Sequence, residues 1–122
     1  MRFPHGVAVQ NIFKILDIAL FEKARALGTF NGAGIDLKDG YIHFSTPTQV
    51  QETAQLHFHA QTNLMLLAVP QDKLGAALKW EASRGGQLFP HLYGVLNMDD
   101  VLWAKPLPWN GLAHDFPPET FA

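Results

Sequence analysis

Residues 41–49 read Tyr41-Ile42-His43-Phe44-Ser45-Thr46-Pro47-Thr48-Gln49, an alternating extended stretch running straight into a helix start. Side chains of a strand point alternately to its two faces, so Ile42 and Phe44 share one side and Tyr41, His43 and Ser45 the other. The apolar pair belongs in a core, which leaves a phenol, an imidazole and a hydroxyl in a row on the opposite face. Thr46 through Gln49 then has the form of a capping box with proline at the first helical position. The helix is expected to run to about His57, with Val50, Thr53, Ala54 and His57 on one face.

Upstream, Asn11-Ile12-Phe13-Lys14-Ile15-Leu16 reads as a first strand. Asp17 can cap a helix over Ile18–Leu27, because its carboxylate accepts the free amides of a first turn. Leu20, Ala24 and Leu27 form its apolar stripe, and Gly28 suits a left-handed stop. Residues 31–34 read as a flexible loop and Asp39-Gly40 as a tight turn. Downstream, Leu64-Met65-Leu66-Leu67-Ala68-Val69 is apolar on both faces and is expected to be a buried central strand. Further strands are expected at Leu78–Ala82, at Phe89–Tyr93 and at Val101–Lys105. Pro90 demotes the second of these to an edge or a bulge. Helices and strands mix without a βαβ rhythm, so the expected fold class is α+β, one domain over residues 1–122. Its core spans about residues 11–105, with a leader over 1–10 and a proline-rich tail over 106–122 lying on the surface as irregular chain.

Composition narrows the function classes. The 122 residues are 48% hydrophobic and 16% charged, with nine basic and eleven acidic residues scattered singly. No basic stripe tracks a phosphate backbone, so duplex nucleic acid is not an expected partner. Cysteine is absent, which removes disulfides and thiolate chemistry and suits a reducing compartment. No apolar run is long enough to cross a bilayer, and Met1-Arg2-Phe3-Pro4-His5-Gly6 lacks the apolar centre of a secretory leader. A cytoplasmic location without membrane contact is the expectation.

Candidate chemistry lies in three places. His43, Ser45 and Thr46 sit where a strand meets a helix, so rigidly aimed side chains adjoin free amides able to hold an anion. The structural reading, in which His43 and Tyr41 simply cover the back of a sheet, stands beside it. Ser83-Arg84-Gly85-Gly86 lets backbone approach a ligand closely and offers Arg84 to a phosphate or carboxylate; a plain hairpin turn uses glycine in the same way. His91 and Tyr93 share a face by their two-residue spacing, near Trp80 and Glu81. A lone carboxylate among such rings has its pKa raised and can serve as acid or base. His57 and His59 straddle a helix end and cannot share a face, so a histidine metal site would need them to meet His43 and His91 in space.

Four strings together resemble the bacterial domain-of-unknown-function family 952. They are Phe13–Leu16, Asp39–Thr46, Leu78–Gly86 and Phe89–Gly94, within about residues 11–105. The resemblance implies an ADP-ribosyltransferase-like fold: a split, mixed or antiparallel sheet with two or three helices that grips NAD in a central cleft. The order of elements is similar to the RNA 2′-phosphotransferase branch. On that similarity His43, Glu81 and His91 are the implied catalytic residues. Lys14, Tyr41, Ser45, Thr46, Trp80, Ser83, Arg84, Gly85 and Tyr93 are the implied ligand contacts, and NAD or an ADP-ribose-like nucleotide is the implied ligand. The branch's basic pair on the first strand is Phe13-Lys14 here, and the arginine expected before His59 is Phe58. A binding domain without chemistry and a histidine metal hydrolase are the alternatives.

Overall fold

The computed structural model describes residues 10–122, so the leader assigned to residues 1–10 lies, Gln10 apart, outside the described residues. Strand β1 (Asn11–Asp17) leads into helix α1 (Ile18–Leu27), the short β2 (Thr29–Phe30), a single-turn helix α2 (Ile35–Asp39) and β3 (Ile42–His43). Helix α3 (Val50–His57), β4 (Leu64–Pro70), β5 (Leu78–Ala82), β6 (Leu88–Leu92), β7 (Leu96–Asn97) and β8 (Trp103–Pro106) follow. Three α-helices and antiparallel sheets make an α+β fold among the described residues, and each described ladder is antiparallel rather than mixed.

Two three-stranded sheets, ordered β1-β4-β8 and β3-β6-β5, meet along the chain just after β3. There Ser45 exchanges two backbone hydrogen bonds with Phe13, at 2.8 and 2.9 Å. The strand expected over residues 41–45 is therefore cut to Ile42–His43, because the chain changes partners: His43 faces β6 and Ser45 faces β1. The sheets join at that point and diverge away from it.

The β1-β4-β8 sheet is covered on both sides, as the unbroken apolar run of β4 predicts. Ile12, Leu16, Leu67 and Val69 pack with Ala24, Ile42, Phe44 and Leu92 on one face. Phe13, Ile15, Leu66 and Ala68 pack with Val50, Ala54 and Leu107 on the other. Asp17 caps α1 as expected, accepting from the Ala19 amide at 2.8 Å, and Gly28 ends the helix at φ 86°. The buried face of α1 is not the Leu20–Ala24–Leu27 stripe, however. Ala24 and Phe21 face the core, whereas Leu27 is 71% exposed. Rotating the helix this way turns Leu20 toward the cavity described below.

Three further expectations need correction. Thr46 does not start the helix: Thr46–Gln49 form a preceding turn, and α3 begins at Val50 without a side-chain cap. Only half of the capping box forms, with Gln49 Oε1 accepting from the Thr46 amide at 3.1 Å. β6 is the central strand of its sheet despite Pro90. Proline is tolerated there because its polar edge faces Phe44, where the β3 ladder has already ended, and its carbonyl still accepts from the Phe44 amide at 3.0 Å. The tail is also more than surface wrapping, since Leu107, His114 and Thr120 are buried and His114 Nε2 lies 2.9 Å from the Gln61 carbonyl.

Candidate functional site

Divergence of the two sheets opens a cavity of about 780 Å3, within the range of small-molecule pockets. Phe13, Leu16, Leu20, Phe44, Leu56 and Phe89 supply much of its apolar wall, and Lys14, Asp36, Asp39, Tyr41, His43 and His91 its main polar cluster.

Lys14 is a charged side chain in apolar surroundings, because it projects from β1 between Ile12 and Leu16 and opposite Leu67. A buried ammonium is costly unless paired. Asp36, on α2, meets it: Lys14 Nζ lies 3.0 Å from Oδ1 and 2.8 Å from Oδ2, and also donates to the His43 carbonyl at 3.0 Å. Asp36 further accepts from the Ala33 amide at 3.2 Å and from the His43 amide at 3.0 Å, and lies 2.6 Å from His43 Nδ1. Burial pushes the Asp36 carboxyl up, but the His43 hydrogen bonds and the Lys14 charge outweigh it and hold the group at about 2. Burial holds the Lys14 ammonium below its ordinary value, and Asp36 offsets that only in part.

This arrangement has a pH consequence. The Asp36 carboxyl is depressed from 3.8 to about 2 on folding, so its stabilisation is complete above the unfolded value and is lost as pH falls through the folded one. The shift corresponds to about 2 kcal/mol. Urea melts of the protein and of Asp36→Asn should therefore differ most near neutral pH, and the difference should shrink between roughly pH 4 and pH 2. A gap that stays constant across that window would contradict the assignment.

His43 is held at both ring nitrogens, Nδ1 by Asp36 at 2.6 Å and Nε2 by Asp39 at 3.0 Å. Both bonds can be made at once only when both nitrogens carry hydrogen. His91 lies directly across from His43 on β6 and is held differently. Its Nδ1 is 2.8 Å from Glu81 Oε1, which also accepts from the Tyr93 hydroxyl at 2.8 Å. Tyr41 stacks on the His91 ring, centroids 4.2 Å apart and 28° between planes, and His43 meets the same ring edge-on at 5.3 Å.

The hydrogen bonds from His91 and then Tyr93 lower the Glu81 carboxyl, and the same Glu81 contact pushes the Tyr93 hydroxyl up to about 12. The raised pKa expected for Glu81 is thus reversed, because its neighbours donate to it rather than desolvate it. Desolvation, followed by the charges of Asp39 and Glu81, raises Tyr41.

Of the residues read from the sequence, Lys14, Tyr41, His43, Ser45, Ser83, Arg84 and His91 line the cavity. Glu81, Thr46, Trp80, Gly85 and Tyr93 are not among its lining residues. Glu81 and Tyr93 stand behind His91. Trp80 pairs with Pro90, so strand alternation turns it to the face opposite His91. Thr46 is buried, and the turn amides expected to hold an anion are already used by Gln49 Oε1 and the Thr46 carbonyl. Gly85 shapes the β5–β6 hairpin at φ 66°, a conformation that disfavours other residues. Arg84 is engaged with Glu52 at 2.7 Å, sits over the Phe89 ring at 4.8 Å, and donates to Thr53 at 3.3 Å. The Ser45 hydroxyl also bonds Thr53, at 2.8 Å.

Asp36 and Asp39 were not singled out from sequence. Their one signal is an i, i+3 spacing just before Gly40, which puts both on one side of a single helical turn. His57 lines the same cavity, whereas His59 lines a second one of about 340 Å3 with Trp109 and His114. The four histidines therefore do not all meet: His43, His57 and His91 share one cavity and His59 lines the other. Among the described residues, no three His, Asp or Glu side chains are grouped to hold a metal ion. No helix among the described residues is long and apolar enough to cross a membrane.

A family model described as "Protein of unknown function (DUF952)" matches residues 15–104. The X-ray structure of protein CC0527 from Caulobacter crescentus, a structural-genomics target, is 46% identical, with a TM-score of 0.83 over 86% of this chain and 93% of that one. The solution NMR structure of CC0527 is 47% identical, with a TM-score of 0.77 over 85% of this chain and 90% of that one. No curated protein matches.

Proposed function

Because the chain belongs to the DUF952 family, whose description names no activity, we propose from the site itself that the cavity binds a small nucleotide-type ligand, NAD or an ADP-ribose-like molecule. The observation that carries this reading is the convergence of Tyr41, His43 and His91 on one wall of a cavity of about 780 Å3 where a split sheet opens. Aromatic and imidazole faces suit a planar ring such as nicotinamide. An ADP-ribosyltransferase-like fold, which the sequence resemblance implies, favours the same ligand, and a cytoplasmic location belongs to this reading.

Roles within it differ from those the family resemblance implies. Lys14 does not serve the ligand's phosphates, since its donors are committed to Asp36 and the His43 carbonyl. Arg84 is the cation left to approach a phosphate, and it would first exchange its bond to Glu52. His43, tied at both nitrogens, positions the ring wall. A binding domain without chemistry is the competing reading, and the commitment of both cations favours it. Release of nicotinamide separates the two.

Titrating NAD into labelled protein should move the NMR signals of Tyr41, His43, Ser45 and His91 together. Arg84→Ala should weaken binding about tenfold, the loss of one charge-assisted phosphate contact. Silence of those signals at millimolar NAD and at millimolar ADP-ribose would remove the reading.

A further inference from the structure

We infer that Glu81 and His91 form a proton-accepting dyad whose free Nε2 acts as general base on a hydroxyl-bearing second substrate. The chemistry assigned to the dyad rests on the nucleotide reading above; its geometry does not. Glu81 Oε1 accepts from Tyr93 as well as facing His91 Nδ1, so it is an ionised acceptor and the Nδ1 of a neutral His91 must carry the hydrogen. That leaves the lone pair on Nε2. Among the described residues Nε2 has no hydrogen-bond partner, and His91 lines the cavity although the residue as a whole is 3% exposed.

His43 cannot take this part, because Asp36 and Asp39 hold both its nitrogens. The groups facing His91 are Glu81 and Lys79 on β5, Tyr41 and His43 beside β3, and Tyr93 on its own chain segment. Stacking by Tyr41 and the Glu81 bond hold the ring in one orientation, the condition for an efficient base.

With NAD bound, the hydroxyl oxygen of the second substrate bonds to the ribose carbon that carries nicotinamide. The carbon–nitrogen bond breaks, and its electron pair leaves with neutral nicotinamide. The hydroxyl proton passes to Nε2, and Glu81 stabilises the resulting imidazolium. The positioning residue is Glu81; the catalytic residue is His91.

Long-range proton–nitrogen NMR reads the tautomer directly, without any ligand. His91 is expected to carry its hydrogen on Nδ1. Glu81→Ala removes the acceptor and should return the ring to the Nε2–H form preferred by free imidazole. Glu81 lies at the surface, 39% exposed at its side chain, so this variant should fold. An Nε2–H tautomer in the unaltered protein would overturn the dyad outright.

Nicotinamide release from NAD, with water as the hydroxyl, tests the chemistry. His91→Asn keeps a donor for Glu81 and removes Nε2. It should lower release at saturating NAD by about 10²–10⁴, over and above any weakening of NAD binding, which the NMR titration measures separately. The pH dependence of release in the unaltered protein should be lost in this variant. NAD bound by the unaltered protein without release would overturn the base assignment and leave the binding reading standing. Failure to bind NAD would end the binding reading, and the tautomer would then decide the dyad alone.

Discussion

Asp36→Ala is expected to lower the free energy of unfolding by about 3–5 kcal/mol, the cost of leaving a buried charge without its partner. Lys14 has 11% of its side chain exposed and Asp36 1%, so water cannot substitute for the lost carboxylate. The same change strands the amides of Ala33 and His43 and one nitrogen of the His43 ring. For a domain of this size the melting temperature should fall by on the order of 10–20 °C. The double variant Lys14→Met with Asp36→Leu supplies the control. Replacing a buried pair by apolar side chains of similar volume is often neutral, so the double variant should recover the part of the loss due to the unpaired Lys14 charge, while the Ala33 and His43 donors stay stranded. Equal destabilisation in the single and double variants would show that the ion pair is not the cause.

Phe13→Ala should cost a similar amount, about 3–5 kcal/mol, through lost burial and a residual cavity. Phe13 is 2% exposed and packs among Ile15, Val50, Ala54 and Leu66, with its ring 5.9 Å from Trp103. Its backbone also makes the bridge to Ser45 that ties the two sheets together. That bridge uses main-chain atoms and survives the substitution, but the side chain that seats α3 against β1 does not. Urea denaturation should therefore show a lower midpoint with an unchanged slope. Phe13→Leu, closer in volume, should lose much less. A small effect for Phe13→Ala would mean that this core collapses to fill the space.

Phe13 and Lys14, the partner of Asp36, are the pair that the sequence resemblance sets against two basic residues of the RNA 2′-phosphotransferase branch. Phe13 goes to the hydrophobic interior and Lys14 to an internal carboxylate, and neither is left to hold a phosphate. Any nucleotide ligand must be gripped by other means. That pushes the reading toward the ring wall of Tyr41 and His91, with Arg84 elsewhere in the lining of the same cavity.

Local pattern was enough for several elements. The Asp17 cap, the Gly28 stop and the doubly buried β4 were legible because each depends on residues within a few positions of one another. Alternation likewise put Tyr41, His43 and Ser45 on one side, and all three reach the cavity. Pro90 misled because the rule against proline in a central strand concerns one missing donor, and whether that donor is needed depends on where the neighbouring strand ends. Thr46 misled because a capping pattern does not reveal that Gln49 also donates to the Leu88 carbonyl at 2.9 Å.

The α+β class, the row of polar side chains along residues 41–45 and the family resemblance came from the order of residues alone. Only the tertiary structure decided that Asp36, 22 positions from Lys14, completes the polar centre, that Glu81 backs His91 from outside the cavity, and that His43 is tied at both nitrogens. The reason is physical. Periodicity reports which face a side chain takes on its own element, whereas partnership in a buried charge network depends on which elements packing brings together.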